Sequence, residues 1–287
     1  MDVIEIQPLG LKNMMSYCYL NSLLQSLVNC NAFVRIIKKH ESHNTITKIL
    51  SAYISAVERQ TSDLVHQYPV MLLNNLRKLS HSQESASDAL RYLIEEIKLP
   101  AVDELFTARY IDKIYCGICG KVFSIKESSS IQIFLFDKVD MCIRGVSNHI
   151  MSSKSTLTDY KPESTCCSSP LYIQLHTNVH LPELLCCTYN AYGISDDILD
   201  VDDNDVTKTM LSPKSLKING YRYNKKSEIL HSGTLQDGHY ISKIHKNKIY
   251  LADDDNIFIV SEDNDPLSQY NRYMKEYKLY ISFYEVQ

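Results

Sequence analysis

Tryptophan is absent from all 287 residues, and no stretch of apolar residues approaches the length of a membrane span. A spanning helix needs about 20 such residues, so a membrane partner is not expected. Basic excess is missing as well: 30 lysines and arginines stand against 34 acids, a net charge of −4. A general nucleic-acid-binding surface needs the opposite balance, and nucleic acid is likewise not an expected partner. The opening MDVIEIQPLG carries acids where a secretory leader has a basic region and an apolar block, which predicts no leader. Internal repeats are absent too, which excludes a solenoid or propeller. An even cysteine set is also lacking. The nine cysteines stand at 18, 30, 116, 119, 142, 166, 167, 186 and 187, with two pairs adjacent. A chain this long needs no disulfide staples, so the pattern predicts reduced thiols in an intracellular compartment, cytoplasm or nucleus.

What remains is a globular composition, 44% apolar and 22% charged, with length enough for one large domain or two ordinary ones. The first third reads as helical. Apolar residues recur at three- and four-residue steps from Tyr19 through Leu20, Leu23, Leu24, Leu27 and Val28. Two further helices are predicted, from about Thr45 to Arg59 and near 84–98, the latter stopped by Pro100. After Phe106 short β-prone runs take over: Val122–Ile125, Ile131–Phe136, Leu171–Leu175, Ile241–Ile244, Ile249–Leu251, Ile257–Val260 and Leu279–Tyr284. Between them lie the polar segments 152–165 and 196–205, the acidic second one reading as a solvated, mobile loop. Helices first and strands afterwards predict an α+β fold with segregated layers.

Residues 9–25, LGLKNMMSYCYLNSLLQ, place Cys18 at the start of the first helix. There the helix dipole and unpaired N–H groups favour thiolate, the nucleophilic form of sulfur. Locally, a buried structural cysteine fits equally well. A thiolate nucleophile also needs a base and a group to orient that base. Most histidines, among them His40, His43, His66 and His81, sit in polar surroundings and read as surface residues. His239 differs, because it follows Gly238 and opens the β-prone run HYISKI. Fourteen residues on, KIYLADDDNIFIV returns at hairpin distance and sets Asp253 beside it. Three aspartates in a row are by themselves only a polar turn. Their pairing with the Gly-His strand favours the catalytic reading.

Taken together, these segments resemble the ubiquitin-specific protease family of deubiquitinating cysteine proteases. Residues 10–25, GLKNMMSYCYLNSLLQ, are similar to the family's GLxNxGNTCYMNSxLQ. HSGTLQDGHY with LADDDNIFIV resembles its histidine box, QESASDALRYLI its QQDAHEFLxxLL helix, SPLYIQL its PxxLxIxL strand, and YKLYISFYE its closing strand. The likeness spans nearly the whole chain, with the motifs in order. It implies a papain-like α+β hand in a single catalytic domain: thumb about 1–105, fingers about 106–170 and palm about 171–287. It also implies Cys18 as nucleophile, His239 as general base, Asp253 as its orienting partner and Asn13 as an oxyanion donor. A donor of that kind lowers the barrier by roughly 3–4 kcal/mol. Asp254 is implied as secondary support, and Asp88, Ser85, Gly238 and Tyr240 as neighbours of the ubiquitin tail. The expected partner is ubiquitin or a ubiquitin-like modifier conjugated to protein, with the enzyme a monomer and no catalytic cofactor.

The chain departs from the family in four places. Gly-Asn-Thr before the nucleophile becomes Met15-Ser16-Tyr17, which implies an altered turn. Ile249 stands where tryptophan is common ahead of the aspartates. In the QQDAHEF helix, Ser85 and Asp88 supply one carboxylate where two are usual, a change worth about 1–3 kcal/mol of substrate binding. Cys116-x-x-Cys119 is half of a tetrahedral zinc site, but its counterpart is the adjacent pair Cys166-Cys167, which strain opposes on one ion. Structural zinc on these four, or a metal-free finger tip, both stay open. Cys142, Cys186 and Cys187 read as packing residues or loop thiols. Two alternatives accompany the deubiquitinase: a protease for another ubiquitin-like modifier, and a non-catalytic ubiquitin-binding module. The full set of Asn13, Cys18, His239 and Asp253 speaks against the latter.

Overall fold

The computed structural model describes residues 7–14, 16–79, 82, 84–136, 143–162, 166–167, 170–189, 212–234, 238–260 and 276–287, with backbone alone at 143–146. Met15, Cys142, His81 and the acidic run 196–205 lie outside the described residues.

The helical third begins with α1 (Cys18–Leu27), all ten of whose residues are buried. Its amphipathic pattern therefore faces protein on every side. One side packs Leu20, Leu23, Leu24 and Leu27 into the main core, and its polar residues meet partners rather than water. Ser26 Oγ lies 2.8 Å from Ser242 Oγ, and its carbonyl accepts from Ser227 Oγ. Around α1 stand α2 (Asn31–Lys39), α3 (Thr45–Glu58), α4 (Ser62–Val65), α5 (Gln67–Leu73), α6 (Ala86–Ile97) and α7 (Pro100–Phe106). Asn44 caps α3 in a reciprocal pair with Thr47, and Ser85 caps α6 by accepting from the Asp88 N–H. A short helix, α8 (Ile143–Met151), follows later in the chain.

Strands build two sheets. A four-stranded antiparallel sheet has the order β2 (Val122–Ile131), β1 (Thr107–Cys116), β5 (Tyr172–His180), β4 (Ser152–Thr156). The larger sheet runs β11 (Asn256–Val260), β10 (Ile249–Asp253), β9 (Gly238–His245), β8 (Tyr221–Gly233), β12 (Lys278–Val286), β6 (Leu184–Tyr189), β3 (Ile133–Phe136), with β7 (Ser215–Ile218) paired to β8. Strand β3 thus leaves the 106–170 segment for the larger sheet, while β5 closes the smaller one. Cys186 and Cys187 on β6 are fully buried packing residues.

Two close approaches fix the helices against the larger sheet. Gly10 packs so tightly on the backbone of Asp255 that a Cβ there would overlap the Asp255 carbonyl. One residue on, the Leu11 N–H donates to the Asp254 carbonyl at 2.7 Å. Replacing Gly10 by alanine should push the segment leading into α1 away from the β10–β11 turn. Denaturant unfolding of Gly10→Ala should show a loss on the order of 1–3 kcal/mol, typical of overpacking at a rigid contact. An unchanged midpoint would show that the turn yields freely.

Candidate active site

Backbone geometry brings three chain segments to one point. The first is the approach to α1. Ser16 has φ +60°, the left-handed conformation, so the sharp turn ahead of the helix is made by a non-glycine residue. Asn13 Oδ1 accepts from the Tyr17 N–H at 2.7 Å and so fixes the residue before the nucleophile position. Helix α1 then starts at Cys18, which is only 2% exposed.

The second and third segments are the open end of the β9–β10 hairpin. Its register pairs Ala252 with Ser242, which leaves His239 and Asp253 beyond the paired region on the same side. His239 Nε2 and Asp253 Oδ1 are 2.6 Å apart. The other ring nitrogen is left for sulfur, and His239 is indeed hydrogen-bonded to Cys18. The Asp253 contact foremost, and next the Cys18 contact, push the imidazole pKa up to about 10 against the opposing effect of burial. The ring is therefore an imidazolium at neutral pH, a proton store between sulfur and carboxylate.

Asp254 stands behind this pair. Its φ is +49°, which aspartate tolerates better than most residues. Its carbonyl accepts from Leu11 N and from Gln25 Nε2 at 3.1 Å, and its Oδ1 accepts from Asn21 Nδ2 at 2.8 Å. Burial raises its pKa, opposed by the Asn21 bond, the His239 charge and a hydrogen bond with Asn13. Asn21 and Gln25, one turn apart on α1, are thus the side chains that tie the helix of Cys18 to the aspartate turn. Sequence reasoning kept both as motif positions without a role. The signal was there: two amides on a helix otherwise lined with leucines.

His231 was also missed. It is 1% exposed, tilted against Tyr240 at 4.1 Å between ring centres, and burial first, then the His239 charge, lower its pKa to about 4. Gly238 owes its lack of a side chain to this ring. A Cβ there would overlap the His231 imidazole and the Ser232 carbonyl. Close packing against a second histidine is therefore the reason for glycine at 238.

The remaining sequence candidates lie along one line of contacts. Ser85 Oγ at the head of α6 is 2.8 Å from Tyr280 Oη and 2.8 Å from Ser87 Oγ. The Tyr280 ring meets Tyr240 edge-on at 5.3 Å. Ser85 is thus already engaged by the α6 cap and β12, Asp88 is half-buried in the first turn of α6, and Tyr240 is 3% exposed.

At the far end of the smaller sheet the sulfurs of Cys116, Cys119, Cys166 and Cys167 all lie within 4.8 Å of one another. Cys116–Cys167 is 3.8 Å and Cys166–Cys167 is 3.7 Å. Four thiolates at about 2.3 Å from a tetrahedral zinc lie about 3.8 Å apart, so the donor set fits the metal. Adjacency of Cys166 and Cys167 is no obstacle, because the chain bends there and turns both sulfurs inward. The Cys119 backbone N–H, foremost among several, brings Cys116 down to about 6, whereas desolvation raises Cys166 to about 12. His239, Asp253 and Asp254 also bring ligand atoms within 4.8 Å, an arrangement their bonds to Cys18 and Asn21 already explain.

The family model of ubiquitin carboxyl-terminal hydrolases matches residues 9–284. The chain belongs to the ubiquitin carboxyl-terminal hydrolase family. It is a cysteine-type deubiquitinase of α+β, papain-like fold. Ubiquitin carboxyl-terminal hydrolase 11 of Schizosaccharomyces pombe is 25% identical over 288 residues, covering 88% of this chain and 78% of that protein. Among solved structures, the SAGA deubiquitinating module Ubp8/Sgf11/Sus1/Sgf73 bound to monoubiquitin superposes with TM-score 0.74 at 18% identity, over 97% of this chain and 69% of the other. The same module bound to ubiquitin aldehyde gives 0.73 at 17%, over 99% and 71%. Among the described residues no helix is long and apolar enough to cross a membrane.

The raised pKa of His239 has a definite sign. A histidine whose folded pKa exceeds the ordinary value adds stability in full below about pH 6.5, and that stability is lost as pH rises through about 10. Asp253→Asn should therefore be destabilised relative to wild type at pH 6 and nearly equal to it above pH 10, in denaturant unfolding at both pH values. Equal gaps at the two pH values would contradict the ion pair.

Proposed function

We propose that this deubiquitinase cleaves the isopeptide bond after the terminal glycine of ubiquitin with Cys18, His239 and Asp253, through a thioester. The single observation that carries the reading is the His239 imidazole bonded to Cys18 on one side and to Asp253 on the other. His239, as the imidazolium, holds the proton that the Cys18 thiol has given up, and the Cys18 thiolate Sγ attacks the glycine carbonyl carbon. The developing oxyanion accepts from the Cys18 N–H and from Asn13 Nδ2. That amide is aimed by the bond its oxygen makes with the Tyr17 N–H. His239 passes its proton to the departing lysine amine, then draws a proton from the water that cleaves the thioester. Asp253 keeps the ring oriented, and Asp254 supports Asn13 and α1 from behind.

The thumb would comprise about 1–105, the fingers about 106–170 with β5 closing their sheet, and the palm about 171–287 with β3 added to it. Ubiquitin's tail would pass between α6 and the β8–β9 end, with Asp88 as its charged contact and Gly238 as the backbone wall. Ser85 and Tyr240 would shape that passage through Tyr280. A second reading, a protease for another ubiquitin-like modifier, is favoured by Ser85. A neutral hydroxyl already bonded to Tyr280 stands there in place of a carboxylate. Cys116, Cys119, Cys166 and Cys167 would hold a structural zinc that pins the finger tip and takes no part in the chemistry.

Two experiments test these assignments. A ubiquitin probe with a C-terminal electrophile should label the wild type, and Cys18→Ala should remove both labelling and hydrolysis while leaving the melting temperature within a few degrees. Labelling only by a probe built on another modifier would select the second reading, and labelling of Cys18→Ala would reject the nucleophile. For the metal, elemental analysis should find one zinc per chain, and chelation should lower the melting temperature. Cys119→Ser, at the exposed ligand, should weaken retention of zinc without abolishing probe labelling.

A further inference from the structure

Asn21 lies about one turn into α1 from Cys18 and is 1% exposed. Its Nδ2 donates to Asp254 Oδ1 at 2.8 Å and to the Leu11 carbonyl at 3.1 Å. Both N–H groups are therefore committed, one to the aspartate turn and one to the segment that carries Asn13. Its own Oδ1 is buried and has no hydrogen-bond partner among the described residues. A buried acceptor left unmatched is costly, and a side chain kept for stability alone would avoid it. What needs explaining at this position is the work of the nitrogen.

The acceptor that matters is the Asp254 carboxylate, which bonds Asn21 and also Asn13. Asn13 Oδ1 is already taken by the Tyr17 N–H at 2.7 Å, so the group that Asn13 offers to Asp254 is its amide nitrogen. One Asn13 N–H is thus held by Asp254, and the other is left for an oxyanion beside Cys18. With its oxygen tied to Tyr17 and its nitrogen to Asp254, the amide cannot turn over. The charged groups acting on Asp254 are His239 from β9 and Asp253 from β10. The helical side meets it with the neutral amides of Asn21, Gln25 and Asn13. His239 Nε2 is 3.8 Å from Asp254 Oδ2, beyond hydrogen-bond length, so the amides set the plane of the carboxylate.

We propose that Asn21 is a positioning residue of the oxyanion site, holding the Asp254 carboxylate so that it aims the free N–H of Asn13 at the developing charge. The role rests on the assignment of Cys18 as nucleophile and Asn13 as oxyanion donor. It adds a residue that touches no reacting atom and acts through two others. An oxyanion donor lowers the barrier only when it points to where charge develops, so lost aim falls on kcat and spares KM.

Steady-state hydrolysis of ubiquitin carrying a C-terminal coumarin amide, followed from about pH 5 to about pH 9, tests this on the full chain. Each preparation is normalised to the fraction labelled by the electrophilic ubiquitin probe. Asn21→Ala should lower kcat roughly ten-fold with KM nearly unchanged, against roughly a hundred-fold for Asn13→Ala. In the Asn13→Ala background the same change should cost less than about two-fold, because no amide is left to aim. Loss of the Asn21 bond also removes an influence that lowers the Asp254 pKa, so the acid limb of kcat should move to higher pH. In the Asp254→Asn background that movement should vanish. Asn21→Ser, a smaller disturbance that keeps one donor, should fall between Asn21→Ala and the wild type. Additive losses in the Asn13→Ala background, or an acid limb that Asn21→Ala leaves in place, would overturn the positioning role. Hydrolysis that survives Cys18→Ala would instead remove the assignment beneath it.

Discussion

The backbone carbonyl of Asp254 is the point on which the arrangement turns. It receives the Leu11 N–H and the Gln25 amide, while the carboxylate of the same residue receives Asn21. One turn between two strands thereby holds the segment ahead of Cys18, the helix that starts at Cys18 and the hairpin that carries the His239 imidazole. Asn21 and Gln25 reinforce the junction, since their amides also donate to the Leu11 and Leu9 carbonyls. The left-handed φ of Asp254 makes this possible by pointing carbonyl and carboxylate to the helical side together. Gly10 completes the seam by letting two backbones approach without a side chain between them.

Around that seam, environment separates two histidines of one strand pair. His231 and His239 lie on neighbouring strands, and the first lowers as the second rises: about 4 for the ring sealed against Tyr240, about 10 for the ring between sulfur and carboxylate. Neutral and charged imidazoles at one pH, within one wall, arise from burial in one case and from a hydrogen-bonded partner in the other. The neutral ring fills the space beneath Gly238 and so supports the strand on which the charged one sits. His231 thus contributes shape, and His239 contributes charge.

The far end of the smaller sheet shows the same logic with sulfur in place of nitrogen. Residues 116 and 119 come from the end of β1 and its turn, and 166 and 167 from a bend ahead of β5, whose register places Cys116 opposite Tyr172. Strand pairing therefore brings both cysteine pairs to one end of the sheet. Tyr172, Tyr160 and Phe123 pack edge to face beside them, with ring centres 5.1–6.2 Å apart. Spacing along the chain argued against adjacent ligands, and the bend at 166–167 removed the objection.

Much of the architecture was legible in the residues. Helices α1, α3 and α6 follow from the three- and four-residue recurrence of leucine and isoleucine, and β9 to β12 from short β-prone runs. Strand β8, thirteen residues long, was not legible: YRYNKKSEILHSG is rich in polar residues because Lys225 and Glu228 bond each other and Ser212 and His245, neighbours that only folding supplies. Helix α2 was passed over for a similar reason, since NAFVRIIKK buries only Ala32, Phe33 and Ile37. The sequence by itself determined which side chains exist to act: a cysteine at a helix start, a histidine after glycine, aspartates at hairpin distance. Those depend on local propensity and short-range spacing, which a linear pattern records. Only the tertiary structure decided that Asn21 and Gln25 clasp Asp254, that His231 explains Gly238, and that four sulfurs converge. Each of these joins atoms far apart along the chain, and their proximity is a product of packing rather than of pattern.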